Sequence, residues 1–218
     1  MLAPILLATA IGYLLGSLPF GYLVARAKGV NIFEVGSKNP GATNVRRVLG
    51  KGPGNLVLML DALKGAIASG WVLLWFWSRN GAVTHQDEIV AITGVVGALL
   101  GHSFSCFTRF KGGKGVATGA GGFLVIFPLG MTIAIAVWIA AALAFRYVSL
   151  ASMLGAVALP ITALIMHRST VLVTVTAVIA AFVIFRHRAN ISRLLSGTES
   201  KIGQKAAVAP VSTAAPKT

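Results

Sequence analysis

Three polar segments, all rich in basic residues and the first two also rich in glycine, interrupt a chain that is otherwise mostly apolar. They read GSKNPGATNVRRVLGKGPGN over 36–55, GHSFSCFTRFKGGKGVATGAGG over 101–122 and FRHRANISRLLSGTESK over 185–201. Glycine lets neighbouring backbone N–H groups converge on an anion, and arginine adds a planar fork of donors that matches phosphate. We therefore predict that the first two segments bind phosphate and that the third lies beside them. The competing interpretations are an interfacial loop for the first segment and an amphipathic basic helix for the third.

The second segment has a pattern that suits phosphate binding, because Lys111 and Lys114 alternate with Gly112, Gly113 and Gly115. It differs from the P-loop of nucleotide-hydrolysing proteins, since the GxxxxGK[ST] pattern is not met and no strand is predicted before it. Nucleotide hydrolysis is therefore rejected.

Histidines of the second and third segments are further candidates. His187 and Asn190 are three residues apart, so a helix would place both on one face, looking back toward the membrane. Arg188 and Arg193 would then face lipid headgroups. His102, near the end of an apolar run, is interpreted either as a structural histidine or as a ligand contact.

Several patterns of acyl and ester chemistry are absent from the sequence. None of the 4 histidines begins an HxxxxD dyad, and no GxSxG elbow occurs. The 5 acidic residues are too scattered for a two-metal carboxylate cage. Cys106, the only cysteine, allows no intrachain disulfide and is expected to be a small buried hydrophobe. We expect neither a metal nor a cofactor, so the chemistry favours an already activated substrate.

Composition assigns the chain to a membrane. Hydrophobic residues make up 56% and charged residues 11%, whereas soluble domains carry about 25% charged residues. The net charge of +14 would suggest nucleic acid in a soluble protein. Here the basic residues fall between apolar runs, which indicates the positive-inside rule and anionic ligands, with no nucleic acid as a partner.

Six apolar runs cover about 1–25, 56–77, 89–105, 115–145, 149–166 and 171–185. The first run precedes any basic residue, which favours an uncleaved span with its N-terminus outside. The fourth run is too long for one untilted helix of about 20 residues. Because Pro128 and Gly130 interrupt it, and proline breaks the helical hydrogen-bond ladder, two shorter helices joined by a turn are expected.

The distribution of basic residues decides between six and seven spans. With seven spans, sixteen Lys and Arg residues lie inside and only Arg79 and Arg168 outside, whereas six spans give ten inside and eight outside. The positive-inside rule prefers seven. We predict an all-α polytopic membrane protein with seven transmembrane helices, some short, the N-terminus outside and the C-terminus cytoplasmic.

With this topology, we expect residues 1–200 to form a single transmembrane domain. Its three polar segments then lie on the cytoplasmic face, and the Ala- and Pro-rich tail, 201–218, is expected to be disordered. Asp61 and Lys64 enter the second span three residues apart and share a helical face. Charges within a span are costly, so this pair is interpreted as either a structural ion pair or a functional group.

Together the segments resemble the signature motifs of the PlsY family, the bacterial acyl-phosphate:glycerol-3-phosphate acyltransferases. GSKNPGATNVRR with the following DALKG is similar to the first motif, GHSFSCFTRFKGGKGVATG to the second and HRANISRLLSGTESKIG to the third. They follow the family's order over about residues 16–203. The resemblance implies seven helices with an active site toward the cytoplasm of a bacterial inner membrane, in agreement with the charge count.

The resemblance implies which residues act. The catalytic residues would be Ser37, Arg47, Lys114, His187 and Asn190. The substrate-binding residues would be Gly41, Thr43, Asn44, Lys64, His102, Gly112, Gly113, Gly115, Ser152 and Glu199. Arg47 is preferred to Arg46, which occupies an often apolar position, and Ser149 stays open as the alternative to Ser152. The sequence departs from the family at Ser105, where proline is expected, and at Ala189, where a polar residue is common.

The implied reaction transfers a fatty acyl group from acyl phosphate to the 1-hydroxyl of glycerol 3-phosphate, with membrane lipid as the surroundings. Positioning and electrostatics would supply most of the rate, and either His187 or the substrate's own phosphate would accept the proton. Two alternatives remain: a transporter or binding protein for a phosphorylated metabolite, and a related enzyme that uses acyl-CoA or acyl carrier protein.

Overall fold

A computed structural model describes residues 2–204 of the chain, and within that range it is built from α-helices. The ten helices are α1 Leu2–Ser17, α2 Phe20–Arg26, α3 Ala42–Leu49, α4 Lys51–Asn80, α5 His85–Ser103, α6 Val116–Ile126, α7 Pro128–Phe145, α8 Val148–Ile165, α9 Thr170–Arg186 and α10 Arg188–Leu195. A short 3-10 turn covers Cys106–Thr108. The prediction of a disordered tail falls mainly on 205–218, outside the described residues.

The predicted helical membrane architecture is confirmed, whereas helix length alone does not support seven spans. Among residues 2–204, five stretches are long and apolar enough to cross a bilayer: Leu2–Arg26, Lys51–Asn80, His85–Thr108, Pro128–Phe145 and Val148–Ile165. A sixth is obtained if α9 and α10, which meet at a bend of 57°, form one span. The remaining apolar helix, α6, has only 11 residues.

The break predicted at Pro128 is confirmed. α6 ends at Ile126, Phe127 leaves the helical conformation, and Pro128 begins α7. Proline fits the first helical position because its missing N–H would have no intrahelical partner there. The first apolar run contains a break that the sequence interpretation did not include, since α1 stops at Ser17 and α2 starts after Pro19.

Helices occupy part of the first and third polar segments. α3 occupies the middle of the first segment, and α4 begins at Lys51 rather than near residue 56. Gly50 separates these two helices with φ of 93°, a conformation that favours glycine. The third segment likewise contains α10. The expectation that Cys106 is buried is wrong, because its thiol lies in an exposed turn.

Small residues let the helices pack closely. α1 lies against α5 through glycines, and a Cβ atom added to Gly97 would lie 2.2 Å from the carbonyl oxygen of Thr9. α4 and α6 show the same closeness, since a Cβ at Gly65 would lie 1.9 Å from the carbonyl oxygen of Thr118. Helices in membranes associate through such van der Waals contact, because lipid supplies little hydrophobic driving force between them.

Contacts at the helix ends define two opposite ends of the bundle. Arg168, after α8, contacts Glu88 of α5 at 2.9 Å, and its guanidinium lies 5.1 Å from the ring centroid of Phe127. At the other end lies Arg146, after α7. The Ile202 N–H donates to the Arg146 carbonyl at 2.7 Å, and the Arg146 guanidinium donates to the Ile202 carbonyl at 3.2 Å. α6 and α7 therefore run in opposite directions between these two ends.

The α4–α6 contact gives a test of packing. Gly65→Ala would push a methyl group into the Thr118 carbonyl, whereas in Gly70→Ala, on the same helix, the nearest atom to the new methyl would be 4.0 Å away. We expect Gly65→Ala to destabilise the protein by about 1–3 kcal/mol through overpacking. Gly70→Ala should match or exceed the wild type, since alanine favours helix by about 1 kcal/mol.

The measurement is the thermal unfolding midpoint of both variants in the same detergent. Equal midpoints for the two variants would contradict the close approach of α4 and α6.

Candidate active site

A cavity of about 400 Å³ opens among the polar segments and extends between the helices. This volume lies within the range of small-molecule sites. One end is polar, with the lining residues Ser37, Asn39, Thr43, Asn44, Arg47, Lys114, Ser149, His187, Asn190 and Glu199. The other end is apolar, with the lining residues Phe123, Met131, Ala134, Ile135, Trp138, Leu159, Ile179 and Val183. The cavity therefore suits a molecule with a charged head and a hydrocarbon chain.

The Glu199 carboxylate organises the polar end. One of its oxygens, Oε1, accepts from Asn190 Nδ2 at 2.7 Å and from Ser149 Oγ at 2.8 Å. The other, Oε2, accepts from Arg193 Nε at 2.7 Å. The oxygen of the Asn190 amide faces the opposite way and accepts from the Lys114 ammonium group. Glu199 thereby fixes which side of the Asn190 amide meets the lysine.

Burial and neighbouring charges set the ionisation of this cluster. Burial lowers the pKa of Lys114 to about 8, and the cations Arg193 and Arg47 act in the same direction against the attraction of Glu199. Burial alone would raise the pKa of Glu199, but hydrogen bonds from Asn190, Arg193 and Ser149 outweigh it, so that this pKa lies below its ordinary value. At neutral pH the site combines a charged lysine with a charged carboxylate.

His187 lies beyond the last residue of α9 and is only 3% exposed. Its Nδ1 is 2.7 Å from the carbonyl oxygen of Val183. Since a carbonyl only accepts, Nδ1 carries the proton in the neutral ring, and Nε2 is left with a free lone pair. Burial, together with the positive charge of Lys114, lowers the pKa of His187 to about 4. The imidazole is therefore neutral at pH 7.

The first polar segment is shaped by Asn44. Its side-chain amide donates to the Val35 carbonyl at 3.1 Å and accepts from the Ser37 N–H at 2.8 Å. Gly36 between them has φ of 58°, and a Cβ there would lie 2.3 Å from Asn44 Oδ1. Asn44 lines the cavity as predicted, but both ends of its amide are used to hold the backbone that presents Ser37.

Gly41, Thr43 and Arg47 complete this wall of the cavity. Arg47 also joins the first polar segment to the third, because it donates from a terminal guanidinium nitrogen to the Ser200 carbonyl at 3.2 Å. Arg46 is not among the cavity-lining residues, which agrees with the preference for Arg47.

The second polar segment is held by a residue that sequence reasoning missed. Arg186 donates to the Gly112 and Gly113 carbonyls at 3.1 and 2.7 Å. These two glycines do not line the cavity, although both were predicted to bind substrate. A Cβ on Gly113 would lie 2.0 Å from His102 Nε2, so the glycine is needed for packing. Gly115 does border the cavity, and with φ of 82° it is the N-cap residue immediately before α6.

Lys64 is also placed away from the cavity lining. Its ammonium group contacts Asp61 Oδ1 at 2.9 Å and donates to the Leu18 carbonyl at 3.0 Å, and both charged side chains are buried. His102 Nδ1 lies 3.5 Å from the same carboxylate oxygen. Asp61 and His102 border the cavity. The structure thus favours the ion-pair interpretation of Asp61 and Lys64 over direct substrate contact by Lys64.

Both candidate serines of α8 border the cavity, with different partners. Ser152 Oγ donates to the Val148 carbonyl at 2.8 Å and accepts from Trp138 Nε1 at 3.2 Å, whereas Ser149 joins Glu199. Ser149 is therefore the one attached to the polar cluster.

Asn39, which donates to the Gly112 carbonyl at 3.5 Å, is a further lining residue that the sequence motifs did not indicate. Arg193, which was expected to face lipid headgroups, forms an ion pair with Glu199.

Comparison with known proteins identifies similar sequences and structures. A family profile described as glycerol-3-phosphate acyltransferase matches residues 6–197. The glycerol-3-phosphate acyltransferase of Desulforamulus reducens is 45% identical over 195 residues, covering 88% of this chain and 92% of that protein. The one from Geotalea daltonii is 47% identical over 189 residues, covering 86% and 92%.

Two crystal structures of PlsY, described as an integral membrane glycerol 3-phosphate acyltransferase, share the fold at 38% identity. The glycerol 3-phosphate form gives a TM-score of 0.82 and covers 91% of this chain and 96% of that one. The lysophosphatidic acid form gives 0.79, with 91% and 95% covered.

The ionisation of Lys114 predicts how anion binding depends on pH. Because its pKa is about 8, the ammonium is charged below that pH and neutral above it. We expect the affinity for sulfate, a dianion throughout, to fall as pH rises from 7 to 10. A hydrogen bond to a charged group contributes about 1.5–3 kcal/mol, so the loss should be about tenfold or more. Isothermal titration calorimetry in detergent measures it.

Lys114→Arg keeps its charge over this range and is the matched control, which should bind sulfate with little change between pH 7 and 10. A decline in the arginine variant equal to that of the wild type would contradict the assignment to Lys114.

Proposed function

The chain belongs to the glycerol-3-phosphate acyltransferase family, and from that premise we propose that it transfers a fatty acyl group from acyl phosphate to the 1-hydroxyl of glycerol 3-phosphate. The products are 1-acylglycerol 3-phosphate and inorganic phosphate. The observation that carries this proposal is the continuity of one cavity from a cationic, hydrogen-bonded end to an apolar end between membrane helices. Such a cavity accommodates both the phosphate groups and the acyl chain.

Acyl phosphate is the donor that suits the side chains of the cavity. It is a mixed anhydride, so phosphate leaves readily if its charge is stabilised, and no strong acid or metal is required of the protein. Arg47 and Lys114 line the cavity, and Arg193 and Arg186 lie close enough to Lys114 to lower its pKa. Fixed cations in a partly desolvated site stabilise developing charge strongly, because they need no reorganisation during the reaction.

In the proposed reaction one bond forms and one bond breaks at the acyl carbon. The 1-hydroxyl oxygen of glycerol 3-phosphate attacks the carbonyl carbon, a new ester bond forms, and the bond from that carbon to the phosphate oxygen breaks. Lys114 and Arg47 hold the phosphates, Ser37 donates a further hydrogen bond, and Asn190 helps to orient the hydroxyl. The proton leaves the hydroxyl for His187 Nε2, whose lone pair is free because Nδ1 donates to Val183.

The acyl chain occupies the apolar part of the cavity. On α8 the lining extends from Ser149, beside Glu199, to Leu159. At a helical rise of about 1.5 Å per residue, that separation is about 15 Å. The head of the donor would thus lie at the polar end while its chain lies among side chains of membrane helices.

Seven membrane passages, with the polar cavity end facing the cytoplasm, belong to the same proposal. α6 begins beside Lys114 and ends near Arg168, and α7 returns to Arg146, which contacts Ile202. These contacts support counting the short α6 as a passage. Arg79 and Arg168 would lie at the opposite end, where the positive-inside rule expects few basic residues.

The donor is tested by assay of purified protein with labelled glycerol 3-phosphate and either acyl phosphate or acyl-CoA. We expect lysophosphatidic acid and an equal amount of phosphate from acyl phosphate, and no product from acyl-CoA. Lys114→Ala and Arg47→Ala should each lose about 10²–10³-fold in kcat, as when a charge-stabilising donor is removed.

Arg188→Ala is the control, since this exposed arginine stacks on Phe185 and does not line the cavity. It should retain wild-type turnover. Absence of lysophosphatidic acid from acyl phosphate, with product from acyl-CoA, would overturn the proposed donor.

The role of His187 is tested by His187→Ala over a range of pH. A general base contributes about 10²–10⁴-fold, so turnover should fall by that factor. Because its pKa of about 4 leaves the ring neutral above that value, wild-type activity should not decline from loss of the base until pH approaches 4. If His187→Ala keeps substantial activity, the proton acceptor is the phosphate of the substrate.

A further inference from the structure

The loop over residues 104–111, named here the aromatic loop, has no part in the proposed chemistry. It follows α5 and carries three aromatic side chains at intervals of three residues. Phe104 is 37% exposed, Phe107 59% and Phe110 65%. Arg109 and Lys111 are exposed beside them. Three exposed phenylalanines interleaved with cations indicate a surface that contacts something beyond this chain.

The aromatic loop is held in place by hydrogen bonds. Ser105 Oγ donates to the Ser17 carbonyl at 2.6 Å, which ties the loop to the end of α1. The Phe110 N–H donates to the Ser105 carbonyl at 2.8 Å, and Thr108 Oγ1 donates to the Lys111 carbonyl at 2.5 Å. The outward position of the phenylalanines is therefore a property of an ordered turn.

The backbone of this turn is strained where it presents Phe110. Arg109 and Phe110 have φ of 54° and 59°, in the left-handed region. That region is unfavourable for residues with a Cβ and is an outlier for bulky ones. Packing within the chain offsets little of this conformational free energy, because most of the Phe110 side chain is exposed. Burial of the ring against something outside the chain would offset more of it.

Neighbouring contacts place the aromatic loop beside the ends of α5 and α9, which the proposed topology puts at a membrane surface. It begins where α5 ends, and the rings of Phe104 and Phe182 of α9 lie 6.2 Å apart between centroids. The guanidinium of Arg186, the last residue of α9, lies 5.2 Å from the Phe104 ring. Leu100 on α5 and Phe185 on α9 are also exposed, so an apolar surface runs from these helices to the aromatic loop.

We propose that the aromatic loop inserts into the headgroup region of the bilayer leaflet on the side of the polar cavity end. Phe107 and Phe110 lie at the boundary between headgroups and acyl chains, and Arg109 and Lys111 contact lipid phosphates. Aromatic residues are favoured at this depth, and basic residues are attracted to anionic lipid. A phospholipid leaflet explains both the aromatic and the cationic members of the loop, and it continues the lipid contact of the adjoining helices.

Insertion has a consequence for catalysis that rests on the proposed function. Lys114 follows Lys111 by three residues and lines the cavity. An amphiphilic acyl phosphate held in the leaflet would thus meet the cavity at lipid level, with its chain still in apolar surroundings. Glycerol 3-phosphate is water-soluble and does not depend on this route. Loss of insertion should therefore raise the KM for acyl phosphate and leave the KM for glycerol 3-phosphate unchanged.

The sequence supplies its own reporter, since Cys106 is the only cysteine and is exposed within the aromatic loop. The full chain is labelled at Cys106 with bimane and placed in nanodiscs of phosphatidylcholine and phosphatidylglycerol. We expect quenching by lipids that carry a nitroxide near the headgroup and weak quenching by aqueous iodide. Strong quenching by iodide and none by the lipid quenchers would overturn the proposal and indicate a loop that faces water or a soluble partner.

Phe107→Ser with Phe110→Ser should shift the label toward iodide quenching and raise the KM for acyl phosphate several-fold. Phe145→Ser is the matched control, because Phe145 is 53% exposed at the end of α7 and lies outside the aromatic loop. Phe145→Ser should change neither the quenching of the label nor the KM for acyl phosphate. An unchanged label in the double variant would also overturn the proposal. The quenching result needs no activity, so it stays decisive even if acyl phosphate proves not to be the donor.

Discussion

The arrangement of polar side chains in the cavity depends on the hydrogen bonds that the Glu199 carboxylate accepts. It accepts hydrogen bonds from Ser149, Asn190 and Arg193, and through Asn190 it reaches Lys114. α8, the second polar segment and the third are thereby joined at one anion. Buried charges are tolerated when they are paired and hydrogen-bonded, so this carboxylate makes it possible to hold several cations beside an apolar space.

Close helix packing supplies the rigid frame for that cluster. There is no room for a Cβ atom against neighbouring backbone at Gly16 of α1, Gly65 of α4, Gly97 of α5 or Gly121 of α6. At the edge of the cavity, the Asp61–Lys64 ion pair and His102 link α4 and α5 to the backbone at Leu18. Rigid support of this kind suits a catalytic site, since small displacements of reacting groups reduce the rate greatly.

The sequence indicated which segments line the cavity better than it indicated which residues within them contact one another. Ser37, Arg47, Lys114, His187 and Asn190 all line one cavity, as the three segments suggested. Gly112, Gly113 and Lys64 do not, because packing against His102 and pairing with Asp61 take up their surroundings. A pattern of residue types identifies a segment that can meet an anion. It does not identify which of its members are already committed to neighbours elsewhere in the chain.

The sequence by itself determined the membrane class, the break at Pro128 and the polar segments that carry the family motifs, because composition, proline geometry and local spacing are properties of short stretches. Only the tertiary structure decided that Arg186 holds the Gly112 and Gly113 carbonyls, that Ser149 rather than Ser152 joins Glu199, and that α6 has just 11 residues. The physical reason is that these features depend on burial and on partners tens of residues away, which no local pattern of residues records.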